Sequence, residues 1–284
     1  MSKITTVKNT SGRELYKYQK IAIEEIFQRF DNAANDYHLL YQLPTGGGKT
    51  VIFSEIVRRY ISKYNKKVLV LTHRIELSKQ TSKMLSEFGV ANKIINSTAK
   101  LDDQSQFGCF VAMVETLKNR LNDEKLLIDN VGLVIIDEAH YNSFRKLMSS
   151  FKKSFILGVT ATPLSSNIKL PMHHNYNELI VGDTIQSLID KGFLAKATTY
   201  SYDVGLTSLK VGINGDYTVK SSDDLYMNMV MQEKLLHSYT EKSLGKKTLI
   251  FNNGINTSLY VYETFREAGY PIKHLDNTTS VEDR

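Results

Sequence analysis

The stretch HLLYQLPTGGGKTVIF, residues 38 to 53, joins an apolar run to three consecutive glycines and then to a helical pattern. The run at 38 to 42 predicts a strand that ends at Gln42, and a helix is predicted from Lys49 onward. A strand, a glycine-rich turn and a helix are the first half of a βαβ unit, which belongs to sheets of parallel strands. The stretch therefore predicts an α/β fold.

The same alternation continues toward the middle of the chain, with strand and helix patterns repeating about every thirty residues. Further strands are predicted at 67 to 72, 109 to 114, 133 to 137 and 154 to 160. Helices are predicted at 13 to 30, 49 to 63, 75 to 88, 115 to 122 and 143 to 150. We predict a doubly wound parallel sheet with helices on both faces.

A polar, turn-rich stretch after Pro163 interrupts this pattern and predicts a domain boundary near residue 165. Regular patterns return with a helix at 228 to 244, a strand at 247 to 251 and a helix at 255 to 268. We therefore predict three parts. They are a first domain at 1 to 165, a linker or connector at 166 to 228, and a second domain that begins at 229 and runs to 284.

Composition limits the class of protein. With 284 residues, of which 42% are hydrophobic, the chain is long enough for at least two domains. A single cysteine, Cys109, excludes an internal disulfide framework, and the polar start MSKITTVKNT does not resemble a signal peptide. No apolar run approaches the roughly eighteen residues of a membrane span. We expect a cytoplasmic protein that does not enter a membrane; its net charge of +6 suits a phosphate-rich partner but is also common in ordinary soluble proteins.

The glycine-rich loop has the features of a phosphate-binding site. Its glycines let consecutive N–H groups point inward, and a helix N-terminus attracts anions. Leu43 stands where the pattern G-x-x-x-x-G-K-[ST] has its first glycine, but the donors come from later positions. A simple left-handed turn, the alternative, would not require lysine followed by threonine. The nucleotide phosphates are predicted to contact Thr45, Gly46, Gly47, Gly48, Lys49 and Thr50.

A second stretch, LVIIDEAH at 133 to 140, carries two adjacent carboxylates at the end of an apolar run. Ligands of open α/β sheets bind at this end of the strands. Asp137 is placed to hold Mg²⁺ through water, and Glu138 to orient and deprotonate the water that attacks a γ-phosphate. A solvated acidic pair that closes a buried strand is the alternative. His140 alone would more often be structural, but its place in this tetrapeptide indicates a relay between the nucleotide and the second domain.

Together with TATP at 160 to 163, these motifs resemble those of superfamily 2 helicase and translocase motors of the DEAH-box type. In that family another residue often replaces the first glycine of the loop. Further matches are LVLTHRIEL at 69 to 77, VAMVETL at 111 to 117 and the stretch 247 to 270, which are similar to motifs Ia, Ib and IV. The stretch DTIQSLIDKGFLAKATTY, 183 to 200, is similar to the branch that holds XPB-like, RadD-like and restriction-motor proteins.

The resemblance implies RecA-like domains of the P-loop NTPase class that use ATP and Mg²⁺. It places Lys49 on the β and γ phosphates and Thr50 with Asp137 at the metal, while Tyr18 and Gln19 would recognise adenine. Family members often read L-R-P-Y-Q before this glutamine, whereas this chain reads LYKYQ at 15 to 19. A buried aromatic on an amphipathic helix is the alternative for Tyr18.

The resemblance also implies contacts with a nucleic-acid backbone, which position a strand without reading its sequence. The implied contacts are Thr72, His73, Arg74 and Thr116. Each of these residues alone could instead be a helix cap or a solvated side chain. Residues implied to couple the nucleotide state to domain closure are His140, Thr160, Ala161 and Thr162, for which a simple exit from a strand is the alternative.

The resemblance ends before the family's last two motifs. The chain closes on HLDNTTSVEDR, 274 to 284, with no match to motif V or to the arginine-containing motif VI. The family's arginine finger, worth on the order of 10³ or more in rate, is thus not visible. We expect a second RecA-like domain that is truncated and a chain that hydrolyses little ATP by itself.

The implied function is an ATP-dependent helicase or translocase that moves on or remodels DNA or RNA, with DNA favoured. Additional subunits of a repair or restriction complex are possible partners. A different class also fits the motifs, namely a non-motor P-loop ATPase that acts as a nucleotide-gated scaffold or as a subunit of such a complex. Stimulation of ATP hydrolysis by nucleic acid distinguishes the two.

Overall fold

A computed structural model describes residues 14–33, 36–96, 106–122, 128–165, 167, 169–212 and 216–280. Two compact units, Met1–Ala197 and Thr198–Arg284, divide the chain. Strands of the first unit are β1 His38–Gln42, β2 Lys67–Thr72, β3 Asn92–Ile95, β4 Cys109–Met113, β5 Val131–Asp137, β6 Phe155–Thr160 and β7 Glu178–Val181. They form one sheet in the order β3-β4-β2-β5-β6-β1-β7, and every neighbouring pair is parallel.

Helices connect these strands and cover the sheet. In the first unit they are α1 Lys17–Asn32, α2 Lys49–Tyr64, α3 Ile75–Glu87, α4 Val114–Asn122, α5 Arg145–Met148 and α6 Ile185–Asp190. Short 3₁₀ turns at Asn142–Phe144 and Ser149–Phe151 flank α5, and a third lies at Met172–His174. This arrangement confirms the predicted α/β fold with a parallel sheet.

The central strands are buried on both faces. On β2, Val68 and Val70 belong to one apolar cluster, whereas Leu69 and Leu71 belong to the other, because successive side chains point to opposite faces. Residues of α1, α2 and α3 complete the first cluster, and residues of α4 and α5 complete the second. Strands buried in this way need continuous apolar runs, which is the pattern that located them in the sequence.

Two strands of the sheet lie at its edges and were not predicted. β3 has four residues and opens with Asn92 and Lys93, so its apolar content is too low for a strand signal. β7 lies inside the predicted connector and pairs with β1, so the first unit extends to Ala197 rather than ending near residue 165. Its Glu178 accepts hydrogen bonds from Arg29 at 2.7 Å and from the Tyr37 hydroxyl at 2.8 Å.

The second unit consists of helices α7 Val219–Tyr226, α8 Met229–Lys242 and α9 Ile255–Glu267, with a 3₁₀ turn at Leu206–Ser208. The predicted strand at 247 to 251 is wrong for this structure. A strand requires a neighbour that completes its hydrogen-bond ladder, and the described residues of this unit provide none there. Leu249 and Phe251 consequently stay 81% and 91% exposed.

The described helices are not of the membrane-spanning kind. None of them combines the length and the apolar character that crossing a bilayer requires.

Candidate nucleotide site

The predicted site residues meet at one edge of the sheet. β2, β5, β6 and β1 are neighbours in that order and run parallel, so their carboxyl ends lie side by side. Thr72, Asp137, Thr160 and Gln42 are the last residues of these four strands. The glycine-rich loop follows Gln42 directly, and this edge is where ligands of open α/β sheets bind.

Leu43 anchors the start of the glycine-rich loop. Its side chain is fully buried, and its backbone N–H donates to the Thr160 carbonyl at 3.0 Å. The loop then passes so close that a Cβ at Gly47 would lie 2.8 Å from Leu43 Cγ. The leucine therefore fixes the loop to the sheet, while the glycines provide its conformational freedom.

The glycines at 46 and 48 have left-handed backbones, with φ of 83° and 85°. Such conformations favour glycine and allow successive N–H groups to turn toward an anion. A Cβ at Gly48 would also come within 2.6 Å of Gln19 Nε2. Lys49 then begins α2, and its Nζ lies 3.4 Å from the Leu43 carbonyl oxygen. The loop thus has the backbone, the helix N-terminus and the cation of a phosphate site.

Asp137 ends β5 and is buried, with 6% of its surface exposed. Burial, and after it the neighbouring Glu138 carboxylate, raise the pKa of Asp137 to about 6. Two smaller effects lower the pKa of Asp137. The Glu138 N–H donates a hydrogen bond to Asp137 Oδ1 at 3.0 Å, and the positive charge of Lys49 favours the ionised carboxylate. Near pH 7 the carboxylate is therefore ionised and costly to bury, which suits a group that binds a cation.

The buried carboxyl of Asp137 makes the stability of the protein pH-dependent. Its folded pKa of about 6 exceeds that of an unfolded aspartate, about 3.9. The protonated carboxyl therefore adds its full contribution to the stability of the folded protein below about pH 4, and this contribution is lost as the pH rises through about 6. In EDTA at pH 7.5, Asp137→Asn is expected to raise the free energy of unfolding by about 1 to 2 kcal/mol. Urea unfolding measures this, and an equal gain at pH 5 and pH 7.5 would contradict it.

Glu138 follows with a left-handed backbone, φ 52°, which is unusual for a residue with a side chain. Two nearby backbone donors hold this turn, because Ala139 N–H donates to the Val159 carbonyl and Tyr141 N–H donates to the Glu138 carbonyl. The Glu138 side chain is 28% exposed. Strained backbones of this kind persist where the surrounding structure fixes them, often at functional sites.

His140 lies between Glu138 and the end of β6. Its Nδ1 is 3.0 Å from Thr160 Oγ1 and 3.5 Å from Glu138 Oε2. The Thr160 hydroxyl donates to the Thr162 carbonyl and accepts from the Thr162 N–H, so Nδ1 of a neutral His140 ring carries the proton. Gln42 Nε2 donates to the Ala161 carbonyl at 3.3 Å. All four predicted coupling residues thus belong to one network across β5, β6 and β1.

The first turn of α1 lies against the glycine-rich loop. The Tyr18 hydroxyl donates to the Gly47 carbonyl at 2.7 Å, and burial raises the pKa of Tyr18. Gln19 is buried, its Oε1 accepts from the Tyr16 N–H at 3.0 Å, and its Nε2 lies 3.4 Å from the Tyr18 hydroxyl. Tyr18 is therefore half-buried on its helix and also contacts the glycine-rich loop.

Phe193 and Tyr16 form an aromatic group with Tyr18 that the sequence did not predict. The Phe193 ring lies 4.5 Å from that of Tyr16 and 5.0 Å from that of Tyr18, between centroids. The next residue, Leu194, lies over the loop, because a Cβ at Gly46 would be 2.8 Å from its Cδ2. The only signal in the sequence was the position of Phe193 within the 183 to 200 stretch, which carried no assigned residue role.

The predicted nucleic-acid residues differ in accessibility. Thr72 is fully buried, and its hydroxyl contacts Ser78 Oγ at 2.7 Å and donates to the Arg74 carbonyl at 3.3 Å, so it is bonded within the turn that leads into α3. His73 is half-buried; burial, and then Arg74, lower its pKa, so the ring is neutral near pH 7. Arg74 is exposed, and Thr116 is half-buried in the first turns of α4. Arg74 is the predicted contact best placed to meet a phosphate.

Comparisons with known proteins agree with this geometry. A protein of Saccharomyces cerevisiae named as the ATP-dependent helicase IRC3 is 31% identical over 78% of this chain and 37% of its own length. A 51.5 kDa protein of a Lactococcus phage is 28% identical over 86% of this chain and 50% of its own length. The Hef helicase domain of Pyrococcus furiosus shares the fold, with a TM-score of 0.51 and 18% identity over 89% of this chain and 52% of that chain.

The parallel sheet, with the glycine-rich loop and the acid pair at one edge, defines the class as an α/β protein of the RecA-like fold, which the Hef helicase domain shares. Within that class, residues 13–165 match the family described as "Type III restriction enzyme, res subunit", and the chain belongs to that family. It spans half or less of the length of the two relatives by sequence.

Proposed function

We propose that the chain couples ATP hydrolysis to movement on, or remodelling of, nucleic acid, with DNA as the favoured substrate. The observation that carries this proposal is the continuous row of groups at adjoining strand ends. It runs from the phosphate loop after β1 through Thr160 on β6 to the acid pair on β5, and on to Arg74 after β2. Such a row supports a γ-phosphate site on the same edge of the sheet as the exposed, basic Arg74.

The residues at this edge fit Mg·ATP. Among the described residues, no group of three or more His, Cys, Asp and Glu side chains could hold a metal by itself. Mg²⁺ commonly takes one or two protein ligands together with waters and substrate phosphates. Asp137 offers a carboxylate and Thr50 a hydroxyl, and the loop provides the anion-binding backbone between them. We assign Asp137 and Thr50 to the metal on this ground.

Three side chains have distinct tasks in this proposal. Lys49 places its charge over the β and γ phosphates. Glu138 accepts the proton of the attacking water, with His140 beside its carboxylate at 3.5 Å to fix the orientation. When bound, Mg²⁺ would neutralise charge that develops on the phosphates.

The aromatic group beside the loop is proposed to stack on the base. Tyr18 and Gln19 were predicted for this task, and Phe193 adds a ring at the same place. Gln19 Oε1 accepts from the Tyr16 N–H, and one Nε2 hydrogen is donated to the Tyr18 hydroxyl, which leaves the second Nε2 hydrogen to read the base edge. Adenine preference would then arise from stacking together with one amide donor.

Removal of the Phe193 ring tests base stacking separately from phosphate binding. Phe193→Ala is expected to weaken ATP binding by about three- to tenfold, the worth of one aromatic contact. Inorganic triphosphate, which has no base, should compete for the site as well as it does in the wild type. Displacement of a fluorescent nucleotide by each competitor measures both affinities. Equal losses for ATP and triphosphate would show that Phe193 shapes the loop instead.

We propose a DEAH-box motor of the restriction-motor branch that works with further subunits of a repair or restriction complex. We also propose that the second unit is the opening of a second RecA-like domain. If so, residues 1 to 284 alone bind ATP but hydrolyse little, since a second domain contributes to turnover.

Steady-state ATP hydrolysis by the full-length protein tests the proposed function. Single-stranded DNA, duplex DNA and RNA are added in turn, with Lys49→Ala as the inactive reference. Turnover that rises with one of these polymers supports the motor, and its preference identifies the substrate. Turnover that is indifferent to all of them would favour a nucleotide-gated scaffold. Full stimulated turnover by residues 1 to 284 alone would contradict the proposed role of the second domain.

A further inference from the structure

Tyr141, directly after the acid-pair motif, lies between two histidines from different strands. Its ring centroid is 4.4 Å from that of His73, after β2, and 4.3 Å from that of His140, after β5. The rings are tilted by 34° and 36°. We propose that Tyr141 is a positioning residue that connects the segment after β2 to Glu138 and so makes ATP hydrolysis respond to nucleic acid. This inference rests on the proposed function.

On the β2 side, the stack is what holds the His73 ring. Its Nδ1 is buried and has no hydrogen-bond partner among the described residues. The neutral ring lies between Thr72, whose hydroxyl is bonded inside the turn, and Arg74, which is exposed. A phosphate that binds Arg74 would therefore move a ring whose clearest contact is Tyr141.

On the β5 side, Tyr141 is connected to Glu138 in two ways. Its backbone N–H donates to the Glu138 carbonyl at 3.1 Å, and its ring contacts His140, whose Nδ1 lies near Glu138 Oε2. Glu138 has a left-handed backbone, which its surroundings must hold in place. A shift of the Tyr141 ring would thus change the position of the carboxylate that activates water.

Simple packing is the competing explanation, and exposure weighs against it. Tyr141 is 37% exposed and belongs to neither of the two apolar clusters that cover the sheet. A packing role depends on volume and is satisfied by leucine, whereas ring stacking requires an aromatic side chain. The contacts are made by the ring, so phenylalanine should preserve them.

The test compares Tyr141→Phe, Tyr141→Leu and Tyr141→Ala in the full-length protein. For each, ATP turnover is measured with and without single-stranded DNA, together with DNA affinity by fluorescence anisotropy and the melting temperature. Tyr141→Phe should match the wild type. Tyr141→Leu and Tyr141→Ala should lower the stimulation ratio by about tenfold, a typical coupling effect, with DNA affinity and melting temperature nearly unchanged. Full stimulation of ATP turnover by single-stranded DNA in the Tyr141→Leu variant would overturn the inference.

A double-mutant cycle with His73 separates coupling from direct DNA contact. If both residues act through the stack, Tyr141→Ala should cause no further loss of stimulation in a His73→Ala background. Independent, additive losses would overturn the inference. The outcomes also separate the two levels of the argument. A stimulated wild type with an equally stimulated Tyr141→Leu contradicts this inference alone, whereas a wild type that ignores nucleic acid contradicts the proposed function as well.

Discussion

Lys49→Ala is expected to weaken ATP binding by about a hundredfold, the largest loss of affinity for any single change in this chain. Lys49 is the cation at the start of α2, and its hydrogen bonds to phosphate are between charged groups, which are worth about 1.5 to 3 kcal/mol each. The neighbouring N–H groups cannot replace this charge. Titration with a fluorescent ATP analogue measures the dissociation constant.

The matched control for this change is Lys153→Ala. Lys153 is exposed and precedes β6, at the amino end of the sheet and far from the phosphate loop. The Lys153→Ala variant should bind ATP with the affinity of the wild type. If Lys49→Ala kept wild-type affinity while folded by circular dichroism, the assignment of the loop as a phosphate site would have to be withdrawn.

Glu138→Gln is expected to separate binding from chemistry. The amide has the same shape as the carboxylate but cannot accept the proton of the attacking water, so turnover should fall by about 10² to 10⁴. Asp137, Thr50 and Lys49 are unchanged, and Mg·ATP should bind with nearly wild-type affinity. Single-turnover hydrolysis and nucleotide titration on the full-length protein measure the two effects.

Asp137→Asn is the informative comparison for this second change. It removes the proposed metal ligand, so Mg²⁺-dependent nucleotide binding and turnover should both fall. Unchanged hydrolysis by Glu138→Gln would exclude Glu138 as the base. A loss of binding equal to that of Asp137→Asn would assign Glu138 to the metal instead.

Much of the first unit was predictable because its signals are local. The strands at 38 to 42 and 67 to 72 have the predicted bounds, because strands buried on both faces have continuous apolar sequences. The parallel arrangement then places the glycine-rich loop and Asp137 at the same edge without any long-range information.

The missing parts depend on partners that are distant in sequence. β7 forms a strand because β1 lies beside it and completes its hydrogen bonds. The run at 247 to 251 forms none, because the described residues of the second unit offer it no neighbouring strand. Phe193 gains its place from contacts across many residues, which no local pattern records.

The two edge strands affect how the protein behaves at high concentration. A parallel sheet offers unpaired backbone groups at both sides, and another molecule can add to them. Here both outer strands have only four residues and open on polar side chains, Asn92 with Lys93 on one and Glu178 on the other. The ion pair between Glu178 and Arg29 keeps a charge at that border. We therefore expect these two short edge strands to resist self-association, away from the strand ends that carry the candidate nucleotide site.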